Sequence, residues 1–149
     1  MIALTNNQKV PLDIKQFEQD AQTILNHLGY GDFDLGILIT DNKTIHAFNE
    51  TYRGKDKPTD ILSFPFHPEL KAGEQIAPET EDDKNLGDII ISPEYVKADL
   101  EQWGQSFEQR MSVLLVHGIC HLLGYDHIED ADYEVMKKKE EELLALLQS

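Results

Sequence analysis

Apolar residues recur at helical spacing from Leu12 on, where Ile14, Phe17, Ala21, Ile24, Leu25 and Leu28 share one face and Gly29 offers a stop. Ahead of them, Met1 to Asn6 predicts a short first strand. Phe33 to Thr40 is mostly apolar and predicts a buried strand. Asp41 then supplies an N-cap for a helix with Ile45, Phe48 and Tyr52 on one side. Asp60 to Phe66 predicts another strand, with Pro65 at its end or on a sheet edge. The polar stretch from His67 to Asn85, broken by Pro68, Gly73 and Pro78, predicts a long mobile loop. Leu86 to Ile91 is a strong strand pattern. Ser92-Pro93-Glu94 opens a helix expected to run to about Trp103. Ser106 with Gln109 forms a capping-box pattern for a helix from Phe107 to Leu123, apolar on nearly every side and therefore central. A last helix is expected from about Asp130 to Leu147, burying Met136, Leu143 and Leu147.

Strands and helices alternate irregularly, which predicts an α+β (or α/β) fold: a small mixed sheet packed with helices. At 149 residues the chain fits a single domain, 1–149, able to bury a core without disulfide staples. Cys120 is the only cysteine, which leaves no intramolecular disulfide. No secretion signal opens the sequence and no apolar run is long enough for a bilayer, so a cytoplasmic protein with no membrane partner is expected. The formal net charge of −15 repels polyanions at long range. Against it stands one short basic cluster, Arg53-Gly54-Lys55-Asp56-Lys57. Lys137-Lys138-Lys139 is followed at once by three glutamates and reads as a solvated helix face.

The candidate chemistry lies on the central helix and the turn after it. His117 and His121 are four residues apart and project from one face, one turn apart. Gly124 suits a helix stop with positive φ, after which the chain can return His127 to the same ion. Three of the six histidines thus form a tripod. Three neutral imidazoles suit zinc, though iron, copper or nickel would also bind such a set, and three protein ligands leave the fourth tetrahedral position for water, the pattern of catalytic zinc sites. Cys120 points away from the ligand face as a packing residue. Asp126 either orients a ligand imidazole or caps the following turn. The spacing matches the His-Glu-x-x-His-x-x-Gly-x-x-His motif of zinc peptidases, but Gly118 replaces the glutamate that serves those enzymes as general base. The spacing predicts the metal geometry and the glycine argues against a peptidase.

His117-Gly118-x-x-His121-Leu122-x-Gly124-Tyr125-Asp126-His127 resembles the signature of the bacterial YbeY family. Asn49 to Pro65, with Arg53 and the run Thr59-Asp60-Ile61-Leu62-Ser63-Phe64-Pro65, and Leu86-Gly87-Asp88-Ile89 resemble two further family blocks. The resemblance implies a metal-dependent, single-strand-specific endoribonuclease of ribosomal RNA maturation, notably at the small-subunit 3′ end, and of ribosome quality control. It implies one zinc ion on His117, His121 and His127, and a catalytic role for Arg53. It also implies work with ribosomal proteins and the assembly GTPase Era. From the residues alone, a surface arginine paired with Asp56 or Asp60 is the favoured reading of Arg53. Thr59, Asp60 and Ser63 fit either a cleft floor or a turn, and Asp88 either a carboxylate behind the metal or a strand-end polar group. Two other readings stand beside the endoribonuclease. One is a zinc hydrolase of a non-RNA substrate, and the other a ribosome-assembly factor with a mainly structural zinc.

Overall fold

The computed structural model describes residues 1–147. Four strands, β1 (Ile2–Asn6), β2 (Asp34–Ile39), β3 (Ile61–Pro65) and β4 (Asn85–Ile91), form one sheet in the order β1-β2-β4-β3. β1, β2 and β4 run parallel, and β3 pairs antiparallel to β4, Ile61 opposite Ile91 and Pro65 opposite Gly87. β3 is therefore an edge strand, which is where a proline can end a strand without breaking a ladder. Gly87 has φ 117°, and a Cβ there would lie 2.2 Å from the Phe64 carbonyl oxygen, so only glycine lets the two strands approach.

Among the described residues five helices complete the fold: α1 (Ile14–Leu28), α2 (Asn42–Arg53), α3 (Pro93–Ala98), α4 (Phe107–Leu122) and α5 (Asp130–Leu147). The caps explain the boundaries. Asp13, Asp41, Ser92 and Ser106 each accept a backbone N–H of the first turn of the helix that follows. Gln109 returns the bond to Ser106, completing the capping box. Gly29 and Gly54 close α1 and α2 in the left-handed conformation.

One sheet face carries Ile2, Leu35, Ile37, Ile39, Ile89 and Ile91 into the main core, against Phe17, Ile24 and Leu25 of α1, Leu115 and Ile119 of α4 and Leu143 of α5. On the other face α2 makes a smaller cluster of Ile45, Leu62 and Ile90. Helix α4 has buried residues on most of its circumference, as its all-round apolar pattern requires. It packs across β3 and β4, which brings its histidines to the sheet edge.

Two expectations change. The helix from Ser92 stops at Ala98 and continues as a 3-10 turn, Leu100–Trp103. The Asp99 carboxylate accepts from the side chains of Gln102 and Trp103 across that turn. The loop after β3 is not free. Leu70 and Ile76 pack on the core, Tyr30 bonds Gln75 and receives the Ile76 N–H, and His67 donates to the Asp83 carbonyl at 2.8 Å. Leu147 is half-buried, whereas Met136 and Leu143 are fully enclosed.

Candidate metal centre

Helix α4 delivers His117 and His121 from adjacent turns, their Nε2 atoms 3.0 Å apart and their rings edge to face. The helix then ends in a double closure. The Gly124 N–H reaches the His121 carbonyl and the Tyr125 N–H reaches that of Cys120, each at 3.1 Å, with Gly124 at φ 91°. This is the Schellman arrangement, and it reverses the chain. A Cβ on Gly124 would also lie 2.3 Å from the Leu70 carbonyl oxygen, so the loop that crosses the turn requires glycine as well. His127 comes back to the pair, its ring centroid 5.8 Å from that of His117 and 5.4 Å from that of His121.

One ligand nitrogen from each of the three rings lies within 4.8 Å of the others. A tetrahedral zinc with Zn–N of about 2.0–2.1 Å spaces its nitrogens about 3.3 Å apart. The cluster therefore fits a small divalent ion with shifts of a few tenths of an ångström for the closest pair. Among the described residues no fourth His, Cys, Asp or Glu joins this group.

The outer face of His117 shows what the sequence did not. Its Nδ1 is 3.0 Å from Oε2 of Glu140 on α5. An ionised carboxylate only accepts, so Nδ1 carries the proton and Nε2 is left with its lone pair toward the ligand side. This is the carboxylate–histidine arrangement that fixes metal ligands from behind. Glu140 sits in the charged run read as a solvated face, yet it shares a stripe with buried Met136 and Leu143, at i−4 and i+3. That spacing was the available signal. Glu140→Gln is expected to weaken metal binding about 10- to 100-fold with the fold intact, measured by competition against a chelating dye.

Burial, and then the neighbouring His117 and His127, hold the His121 pKa below its usual value of 6.5. The unfolded chain therefore takes up this proton first as pH falls. The chelated protein is expected to lose stability as pH drops through 6.5, the loss being complete below the folded-state value. Melting curves on either side of that pH check it, and His121→Ala should flatten the response. Burial pushes the Cys120 thiol up to about 12, so it stays a neutral packing group and not a thiolate ligand. Of the two readings of Asp126, the turn describes it. Its Oδ1 accepts the His127 backbone N–H at 2.7 Å, while the His127 ring nitrogen is 3.9 Å away.

A cavity of about 440 Å³ opens beside the cluster, lined by His117, His127, Glu140, Asp60, Trp103 and Arg110 among others. Arg53 is not among its lining residues. It ends α2, exposed, and has no carboxylate within 4.0 Å among the described residues. Its two candidate partners are engaged elsewhere, Asp56 with His46 at 2.7 Å and Asp60 with Arg110 at 3.5 Å. Ser63 Oγ donates to the Gly118 carbonyl at 3.4 Å and ties β3 to α4. Asp88 lies exposed on the opposite sheet face, near Phe64 and Tyr52, away from the histidines.

The family model described as endoribonuclease YbeY matches residues 3–148. A human protein named endoribonuclease YbeY is 39% identical over 96% of this chain and 86% of its own length. Its namesake from Desulforamulus reducens is 36% identical over 99% and 97%. The solution structure of a Thermotoga maritima protein superposes with a TM-score of 0.59 at 25% identity, over 97% of this chain and 90% of that one.

Proposed function

The chain belongs to the endoribonuclease YbeY family, and from that membership we propose a zinc-dependent endoribonuclease specific for single strands. Its substrate is ribosomal RNA, cut in maturation of the small-subunit 3′ end and in ribosome quality control. The work is done by one domain in the cytoplasm. Among the described residues no helix is long and apolar enough to cross a membrane.

One observation carries the reading: three imidazoles converge, one nitrogen of each within 4.8 Å of the others, and one of them is held from behind by Glu140. His117, His121 and His127 would hold the ion, and Glu140 would keep the His117 lone pair aimed at it. Bound there, zinc supplies Lewis acidity toward a phosphoryl oxygen and a nucleophile from water near neutral pH. Arg53, exposed and without a carboxylate partner among the described residues, offers a planar fork of donors to an RNA phosphate. The charge of −15 works against capture of RNA from solution. The cluster of Arg53, Lys55 and Lys57 gives a local landing place. Ribosomal proteins and the assembly GTPase Era would present the strand.

The test is cleavage of single-stranded and duplex RNA by the purified protein, before and after chelation. Single strands should be cut and duplex spared, with activity lost on chelation and restored by zinc. Arg53→Ala should slow cleavage about 10- to 100-fold, the worth of a charged hydrogen bond of about 1.5–3 kcal/mol. Cleavage that survives chelation and Arg53→Ala alike would defeat the reading.

A further inference from the structure

Arg110 stands seven residues before His117 on α4, and seven residues return a helix to nearly the same face. It lines the same cavity as His117 and His127. Its side chain is only 11% exposed, and its guanidinium carbon sits 3.6 Å from the centroid of the Trp103 ring. Nη2 comes to 3.5 Å from Asp60 Oδ2, outside good hydrogen-bond distance. Among the described residues, no hydrogen bond satisfies the donors of this guanidinium. The planar cation is thus clamped by an indole and ion-paired at one edge with Asp60, while its other donors, on a side chain only 11% exposed, have no hydrogen-bond partner among the described residues. Such a group gains most from an incoming oxyanion, because the desolvation cost is already met by the fold.

We infer that Arg110 binds a backbone phosphate of the RNA, one nucleotide or more from the cleaved bond. The inference rests on the endoribonuclease reading above. The offset follows from helix geometry. Seven residues span about 10.5 Å along the axis, and helical side chains lean toward the N-terminus, away from His117. Arg110 is therefore a positioning residue. It holds the strand so that another phosphate reaches the histidine cluster. Asp60 and Trp103 fix its plane.

The zinc-loaded full chain is titrated with a short, labelled, 2′-O-methylated single-stranded oligoribonucleotide, and anisotropy is read at several salt concentrations. Trp103, the only tryptophan, lines the cavity, and its emission should change on binding. Arg110→Gln should bind about tenfold more weakly, equally for every RNA sequence. Its slope of log affinity against log salt should be shallower by about 0.7, the loss of one phosphate contact to a single strand. A merely structural arginine would change the melting temperature and leave that slope alone. Should Arg110→Gln fail to fold, Arg110→Lys keeps the charge and stem. It should retain the slope while losing the fork, with several-fold weaker binding. Unchanged affinity and slope in the folded Gln variant, or unchanged affinity in the Lys variant, would overturn the assignment. Wild type that binds and cleaves normally in that case would spare the broader reading. Wild type that neither binds nor cleaves single strands would sink both.

Discussion

His121→Ala is expected to leave a folded chain that holds no tightly bound zinc and cuts single-stranded RNA at least about 10³-fold more slowly. The rate follows from losing several kcal/mol of charge stabilisation at the phosphoryl oxygens, each 1.4 kcal/mol being about tenfold. His121 is the right position to remove. It sits between the other two rings, contacts both, and makes no bond to a distant element that would take the fold with it. Loss of a direct ligand should weaken metal binding beyond the roughly 10- to 100-fold expected of a group behind it. Elemental analysis after dialysis reads the metal, a melting curve reads the fold, and cleavage of labelled RNA reads the rate. Cleavage near the wild-type level in a metal-free variant would remove the ion from the chemistry.

The second large effect concerns Gly118, where zinc peptidases of matching spacing carry their general base. Gly118→Glu is expected to destabilise the chain by about 3–5 kcal/mol and lower its melting temperature by roughly 6–20 °C. Peptidase activity should not appear. A Cβ at this position would already lie 2.9 Å from Ile61 Cδ1 and 3.0 Å from Ile89 Cδ1, so a carboxylate would be driven into the seam between α4 and the β3–β4 edge. Gly118→Ala is the control. Its crowding falls on the ends of two flexible side chains, at about 1 kcal/mol, and the gain in helix propensity of about 1 kcal/mol offsets it. Thermal melts of both variants separate the two cases. A Glu variant as stable as wild type would mean that the seam has room.

Gly118 also illustrates what the chain declares in its own sequence. The absent glutamate could be read from spacing, but the reason the position stays small lies in side chains from β3 and β4 that come from elsewhere in the chain. The same division runs through the molecule. The starts of α2, α3 and α4 were legible because each is fixed by a cap one residue before it, whereas α1, read by periodicity from Leu12, begins at Ile14 behind Asp13. The break after Ala98 was not, since no proline or glycine stands at that position to mark it. The three histidines were legible because a pair at i, i+4 and a glycine stop are local geometry. Glu140 and Arg110 were not, since each comes to line the cavity only when α5 or the turn at Trp103 is laid against α4. In both cases a helical stripe pointed the right way: Glu140 lies in line with Met136 and Leu143, and Arg110 in line with Leu114 and His117. Charge had marked Glu140 as part of a solvated face, and its partial burial beside the cavity reverses that assignment.

Arg53 shows the converse. Its pairing with Asp56 or Asp60 was a fair expectation from sequence, and both carboxylates are engaged by other groups, His46 and Arg110. An exposed guanidinium in a chain of charge −15 is surrounded at a distance by acids, yet none lies within 4.0 Å among the described residues. That leaves its fork available to phosphate.

X-ray absorption at the zinc edge of the loaded protein reports directly on how the ion is held. Three imidazole nitrogens and one light oxygen scatterer at about 2.0–2.1 Å are predicted, with the oxygen exchangeable for an added anion. A sulfur shell near 2.3 Å, fewer than three imidazoles, or a fourth protein ligand that no anion displaces would contradict a catalytic centre built from His117, His121 and His127.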